Sequence, residues 1–511
     1  DLLGGAWLPD VSSGSAVAWV QADRDADALQ ISRLVDGPEC LDGKPRLFTR
    51  RVALPGGLLE ELEEEFQAIH AENQRNIKAH LLKPPPHSHS DKQVYWEDRR
   101  RFDARIKSLG QRLQSELMQE WRFLLAPWPQ DDKVRGSLTA SFNEWLRAEP
   151  AGSLGGPPPD GACSRLLALL YAAAESLTAQ ELSRVLAALL PARGPAEPGP
   201  RQLERMATSL LAHRRRPPQS TPPPRSMPLL LFVDSTMAKL PLEACPCLRQ
   251  LEVVRGIAPN VAVHARRRFA SLPNPQPSDS ANTPMSGYYV VDPFGDLGPA
   301  GTGLKKMVRA WSAAPGQRGA WSGHVGKAVP ESDEIFGMLG SRDVFLYMGH
   351  GEGAKQLLKH EQVQAGASAL PGPGGPPAQK RPLRSIIVLM GCSSAKVFSP
   401  VGPNLSACDR GCMEYEFFGM PCNVLIGGGP AVVGAMWDVL GGDLDAFTCA
   451  FLERWVGPGS SCGQAAGGGG GCGHEGGGPA GTMMEALVAA RGSCHLPYLT
   501  GTSVVCYGVP L

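Results

Sequence analysis

Asp343-Val344-Phe345-Leu346-Tyr347-Met348-Gly349-His350-Gly351-Glu352-Gly353 and, further on, Ser385-Ile386-Ile387-Val388-Leu389-Met390-Gly391-Cys392-Ser393-Ser394 decide how this chain is read. Each is a short apolar run, β-branched or aromatic in character and without polar alternation, that ends in a glycine followed by one reactive side chain. Such runs suit strands buried on both faces of a parallel sheet. Ligands gather at the carboxyl ends of strands in open α/β sheets, and there these two strands would present an imidazole and a thiol.

A thiol attacks carbon as the thiolate, so it needs a base or a positive field to lower a pKa that starts near ~8.5. His350, at the end of a neighbouring strand, can be that base. The chain between His350 and Cys392 leaves room for one crossover and an insertion. Gly349 and Gly391 permit tight exits from the strands, and the backbone amides of Gly351 and Cys392 can face one pocket as an oxyanion hole. The plainer alternative is a buried structural Cys392 and a satisfied loop His350. The paired context, with two apolar strands ending in Gly-His-Gly and Gly-Cys-Ser-Ser, is far more demanding than either residue alone.

With 511 residues, the chain is long for one core and implies two to three domains. Lys+Arg and Asp+Glu balance at 50 each, which argues against a dominant electrostatic partner such as duplex DNA. The clusters Arg214-Arg215-Arg216 and Arg266-Arg267-Arg268 read as solvated loop charge. Thirteen cysteines are too sparse for a disulfide scaffold, so a reducing interior is expected. The first residues carry no signal pattern, and no stretch approaches the ~18 apolar residues of a membrane span. The expectation is a soluble intracellular piece of something longer.

Strand-like pieces at Ala16–Val20 and Leu29–Leu34 precede a helix from Leu58, with Leu62, Phe66, Ile69 and Ile77 near one face, ended by Lys83-Pro84-Pro85-Pro86. A second helix, about Tyr95 to Leu125, repeats Phe102, Ile106, Leu109, Leu113, Leu117, Trp121 and Leu124. The two read as an antiparallel pair packed on a sheet. The outer charge, Arg99-Arg100-Arg101 included, reads as solvated. Pro/Gly-rich breaks follow at 152–161, 191–200 and 214–228, with a capping box at Thr178-Ala179-Gln180-Glu181 between them. From residue 228 strands and helices alternate. Strands are expected at Leu229–Asp234, Tyr288–Pro293, Cys422–Ile426, Ala431–Trp437 and Ser503–Tyr507, and helices at Leu304–Ala313 and Leu444–Val456. The alternation is that of an α/β layer fold with a largely parallel sheet.

The motifs Met348-Gly349-His350-Gly351-Glu352-Gly353-Ala354 and Leu389-Met390-Gly391-Cys392-Ser393-Ser394-Ala395 resemble those of separases, caspase-like cysteine endopeptidases that open cohesin at anaphase. The likeness continues in Val290-Val291-Asp292-Pro293, Gly434-Ala435-Met436-Trp437-Asp438-Val439, Asp443-Leu444-Asp445 and Cys506-Tyr507-Gly508-Val509-Pro510. It implies a caspase-like α/β/α sandwich at 228–511, with inserts near 365–381 and 457–481. Residues 1–227 would form a pseudo-protease or substrate-binding subdomain carrying a helical insert at about 58–125.

In that reading His350 is the general base and Cys392 the nucleophile, a dyad without a third acidic residue. Cleavage follows an arginine with a glutamate three residues earlier, so the substrate pocket needs an acid. Asp438 is the first choice, beside Trp437, and Asp443 and Asp445 are the alternatives that helix-start capping explains equally well. The resemblance further implies a securin-like inhibitor, the kleisin subunit of cohesin as substrate and a mitotic cyclin-dependent kinase as a partner. It places the protein in cytoplasm and nucleus, on chromosomes and spindle. The chain departs from the family at Leu440-Gly441, where Thr-Asp is usual, and in its added run near 365–381.

No cofactor or metal is expected. Cys408 with Cys412, and Cys462, Cys472 and His474, lack paired zinc-ligand spacing, and Gly427-Gly428-Gly429-Pro430 lacks the lysine of a phosphate loop. Two alternatives remain: a caspase-like peptidase of other specificity, and a catalytically silent scaffold. Glu97-Asp98-Arg99-Arg100 and Glu181-Leu182-Ser183-Arg184 fit the cleavage pattern but fall in helices, which resist the extended form a protease binds.

Overall fold

The computed structural model describes residues 15–35, 46–82, 88–148, 161–190, 199–214, 225–270, 285–313, 320–351, 383–398, 419–457 and 482–509. The chain divides into two compact units, one drawn from residues up to 65 and from 108 to 253, the other from 66–107 and from 254 onward. The inserts expected near 365–381 and 457–481, Gly457 apart, and the cysteines at 408, 412, 462 and 472, lie outside the described residues.

In the first unit, strands β1 (Ala16–Asp23), β2 (Ala28–Val35) and β3 (Arg46–Ala53) form an antiparallel meander. Strand β4 (Leu229–Val233) lies parallel to β1, with Ala16 beside Leu229 and Val20 beside Val233. The β3 strand has no apolar run to announce it. Among the described residues it pairs through one edge, and from Leu47 to Ala53 Val52 alone is buried.

Helices α1 (Leu58–Leu82) and α2 (His89–Arg112) cross from one unit to the other. Residues 66–107, which the sequence reading groups with 1–227, cluster with the second unit. There the two helices run antiparallel: His80 stacks on Tyr95 at 4.0 Å, Asn76 donates to Asp98 at 3.0 Å and Arg105 pairs with Glu72 at 2.9 Å. The α2 helix does not continue to Leu125. It gives way to a π-type turn, Leu113–Met118, and a 3-10 segment, Gln119–Leu125. From Glu120 to Ala126 every residue is buried, and one α-helical face cannot bury consecutive positions.

The longer helices that follow in the first unit are α3 (Asp132–Ala148), α4 (Gly161–Ala173), α5 (Ala179–Leu189) and α6 (Pro200–Arg214). Helix α5 starts at the expected capping box. Thr178 Oγ1 accepts from the Glu181 amide, and the Glu181 carboxylate accepts from the Thr178 amide.

The second unit holds β5 (Val253–Gly256), α7 (Pro259–Ala270), β6 (Gly287–Val291), α8 (Thr302–Ala313), β7 (Trp321–Val325), α9 (Ser332–Leu339), β8 (Val344–Met348) and β9 (Ile386–Met390). After these come α10 (Met420–Ile426), β10 (Ala431–Ala435), α11 (Gly441–Val456), α12 (Met483–Ala490) and β11 (Val504–Gly508). The strand order is β5-β11-β10-β9-β8-β6-β7. From β10 to β7 all neighbours are parallel, while β11 is antiparallel to β10 and parallel to β5.

All five residues of β6, β8, β9, β10 and β11 are buried, as their unbroken apolar character requires of strands covered on both faces. On one face Val290, Phe345, Tyr347, Ile387 and Leu389 pack with Ile335 and Leu339 of α9 and Met420 and Val424 of α10. On the other, the Tyr289 hydroxyl meets Ser312 of α8 at 2.8 Å. The fold is α/β, with helices on both faces of a mostly parallel sheet.

Two local readings are corrected. Cys422–Ile426 is helical rather than a strand, within an α10 that has proline in its first turn and glycines after it. A short buried apolar run does not by itself tell helix from strand. Arg266-Arg267-Arg268 is not loop charge. It closes α7, where cations suit the helix dipole.

Candidate active site

Parallel pairing sets the position of the two reactive side chains. Met348 of β8 lies opposite Met390 of β9. His350 and Cys392, each two residues further on, leave adjacent strands at the same level and on the same edge of the sheet. The two exits touch through backbone. A methyl carbon on Gly351 would lie 1.8 Å from the Cys392 carbonyl oxygen, and one on Gly391 would lie 2.7 Å from the Gly349 carbonyl oxygen. Only glycine permits this approach, which brings the proposed oxyanion donors, Gly351 and Cys392, into one place.

On the histidine side, the Tyr347 hydroxyl donates to the His350 carbonyl at 2.7 Å. Burial pushes the Tyr347 pKa up, with the charges of Asp296 and Asp292 adding to it, so the phenol keeps its proton and remains a donor. The imidazole is more than half exposed, and its Nε2 lies 3.7 Å from Asp296 Oδ1, also more than half exposed. Asp292 fixes the loop that carries Asp296. Its amide donates to the Met348 carbonyl, its Oδ1 accepts from the Asp296 and Leu297 amides at 3.0 and 3.1 Å, and Lys305 Nζ sits 2.6 Å from its Oδ2. Burial works to raise the pKa of this carboxyl, but the ammonium and the amides outweigh it and hold it low.

On the cysteine side, the Cys392 thiol donates to the Val439 carbonyl at 3.5 Å. Burial pushes its pKa up, and the Asp438 charge adds to this while Arg99 opposes it. Ser393 follows in the left-handed region at φ +54°, a conformation a serine holds only under constraint. The constraint is visible: its amide donates to the Trp437 carbonyl at 3.2 Å and its hydroxyl to Asp438 Oδ1 at 2.8 Å.

Asp438 stands three residues past β10, on the same edge as the thiol. Its Oδ2 accepts from Gln74 Nε2 at 2.7 Å, and its carbonyl accepts from Asn73 Nδ2 at 2.9 Å. Trp437 is buried, with Nε1 donating to the Leu499 carbonyl at 2.8 Å and its ring meeting Phe66 edge-on at 5.4 Å. It is packed inside the unit behind Asp438 rather than lining an open surface.

The other two acids hold backbone. Asp443 is buried and accepts from the His495 and Leu496 amides at 2.7 and 3.0 Å. Asp445 accepts from the Gly303 and Leu304 amides at 2.8 and 2.9 Å, at the start of α8. Both therefore cap or pin segments distant in sequence, not the start of their own helix.

The sequence reading omits Asp296, Asn73, Gln74 and Arg99. Arg99 is read as solvated, yet it is fully buried, while Arg100 and Arg101 beside it are exposed. The signal was available: Tyr95, Arg99, Phe102, Ile106 and Leu109 step by three and four, so Arg99 sits within the apolar stripe. Asn73 continues the stripe Leu62, Phe66, Ile69 in the same way.

The family model "Separin, protease domain" matches residues 56–444. Curated relatives named Separin include one from Mus musculus, 27% identical over 97% of this chain and 19% of its own length. Another, from Emericella nidulans, is 27% identical over 91% of this chain and 21% of its own. The chain thus spans about a fifth of the length of these relatives. Two crystal structures of the Saccharomyces cerevisiae separase–securin complex superpose with TM-scores of 0.67 and 0.68 at 19% identity, covering 98% and 97% of this chain and 30% of the matched chain. That likeness is one of fold. The match to the family model, by contrast, takes in well over half of the sequence and runs through His350, Cys392 and Asp438, and on it the chain belongs to the separin protease domain family, a family of cysteine peptidases.

Proposed function

We propose that this chain is the arginine-directed endopeptidase region of a separase. Cys392 is the nucleophile and His350 the general base. The supporting observation is the in-register parallel pair β8 and β9, which delivers both side chains to one edge of the sheet. When substrate is seated, the imidazole takes the thiol proton and the thiolate adds to the scissile carbonyl. The Gly351 and Cys392 amides receive the oxyanion, and the imidazolium returns the proton to the departing amine. Water, activated by the same imidazole, then hydrolyses the thioester.

Asp438, held on both oxygens and backed by Trp437, is the acid that receives the guanidinium before the cut. Each carboxylate oxygen has two acceptor sites, so a donor already bound to each still leaves the fork open. Asp443 and Asp445 are already engaged by amides and support the loops around the pocket. The substrate is the kleisin subunit of cohesin, cut at glutamate-x-x-arginine. A securin-like inhibitor occupies the same groove, and a mitotic cyclin-dependent kinase is a further partner.

An acyloxymethyl ketone carrying arginine should label Cys392 covalently, and Cys392→Ser should abolish labelling. Labelling by an aspartyl analogue instead would replace arginine specificity with another caspase-like one. Labelling by neither would make the chain a silent scaffold.

A further inference from the structure

Outside the two catalytic strands, the site rests on polar residues carried by α1 and α2. Each helix places one of them inside an otherwise apolar stripe. Asn73 and Arg99 are both fully buried, and Arg99 Nη1 donates to Asn73 Oδ1. That bond orients the Asn73 amide so that its nitrogen faces the Asp438 carbonyl, to which it donates at 2.9 Å. The next residue, Gln74, donates to Asp438 Oδ2 at 2.7 Å, and Ser393 donates to Oδ1. The aspartate is thus gripped at its carbonyl and at both carboxylate oxygens by three separate side chains.

The guanidinium of Arg99 is an expensive group to bury. Its Nε and Nη2 have no hydrogen-bond partner among the described residues, and burial lowers its pKa although Tyr95, Asp443, Cys392 and Asp103 all oppose this. A helix pair stabilised only by packing would place an aliphatic residue here. What the buried cation does supply is a fixed Asn73, and through it a fixed Asp438 peptide.

We propose that Gln74 and Asn73, with Arg99 behind them, are positioning residues for substrate choice: they orient Asp438 so that it meets a planar guanidinium with two parallel bonds. This rests on the reading of Asp438 as the acid that receives the substrate arginine. A carboxylate free to rotate would still attract a cation. It would no longer distinguish the arginine fork from the point charge of lysine.

The test measures equilibrium binding of two peptides, glutamate-x-x-arginine and glutamate-x-x-lysine, to the Cys392→Ser chain, so that turnover is not required. Gln74→Met keeps the length of the side chain and removes the donor. It should weaken the arginine peptide about tenfold and the lysine peptide by less than about twofold, with thermal unfolding of the chain unchanged. Gln74→Glu, which sets a second carboxylate against Asp438, should erode the preference for arginine in the same way. Unchanged arginine preference in both Gln74 variants, with Asp438→Asn abolishing it, would overturn the positioning role and leave the pocket reading intact. If Asp438→Asn also leaves the preference unchanged, the pocket reading fails and this inference with it.

Discussion

The thiol of Cys392 points at the carbonyl oxygen of Val439, 3.5 Å away, and not at a cation. Val439 follows directly on Asp438, so the thiol rests against the turn of chain that carries this acid. The consequence is a thiol that holds its proton in the absence of substrate, since burial and the Asp438 charge both disfavour the thiolate. A raised pKa means less thiolate at neutral pH. Alkylation of Cys392 by iodoacetamide should therefore climb about tenfold per pH unit from 7 to 9 without levelling. Mass spectrometry of the modified residue checks this, and a plateau below pH 8 would show the thiolate already formed.

Gly351 has no room for a side chain. Because a methyl carbon there would lie 1.8 Å from the Cys392 carbonyl oxygen, Gly351→Ala must push the two strand exits apart. A displacement of about 1 Å at reacting groups costs on the order of 100-fold in rate. The expected result is a loss of about that size in kcat/KM, with stability falling by roughly 1–3 kcal/mol, as overpacking usually costs. Kinetics and thermal unfolding on the same preparation separate the two effects.

Asp296 Oδ1 lies 3.7 Å from His350 Nε2, but both groups are more than half exposed. A pair that open contributes little, up to about 1 kcal/mol. Asp296→Asn should lower kcat/KM by less than about fivefold, whereas His350→Ala should remove activity. A large effect of Asp296→Asn would turn the dyad into a triad.

In the first unit, Glu181 accepts two contacts from Arg122, at 2.6 and 2.9 Å, while also capping α5. Its pKa falls from 4.5 to about 2, with the Arg122 hydrogen bonds as the largest cause. A depressed carboxylate pKa stabilises the fold above the unfolded value and loses that contribution as pH falls through the folded value. The contribution, about 3 kcal/mol by linkage, is complete above roughly pH 5 and vanishes toward pH 2. Denaturant unfolding of Glu181→Gln should show that much less stability at pH 7 and a flatter dependence over this window.

The sequence discloses the second unit's strands because their burial on both faces leaves uninterrupted apolar runs, as in Val344–Met348 and Ile386–Met390. It also shows the reactive residues, since each lies directly beyond such a run and a glycine. Strands β3, β5 and β7 are not legible. β5 spans only Val253–Gly256, β3 carries adjacent arginines, and β7 alternates Trp321-Ser322-Gly323-His324. The Cys422–Ile426 helix is misread because its residues from Met420 to Leu425 are all buried, and so short a run shows no periodicity. Least visible are Asn73, Gln74 and Arg99, whose meaning depends on residue 438, more than three hundred positions away. Helical spacing marks two of them as buried, but spacing cannot say what a buried polar group faces.

Strand β11, Val504–Gly508, lies between β5 and β10, and the segment just before it receives the indole of Trp437 at Leu499. During synthesis on the ribosome, His350, Cys392 and Asp438 therefore emerge before the strand that joins β5 to β10. A nascent polypeptide halted short of Val504 carries His350, Cys392 and Asp438 and yet lacks the slab that sets them in place. The sheet around these residues therefore stays incomplete until Val504–Gly508 has been translated.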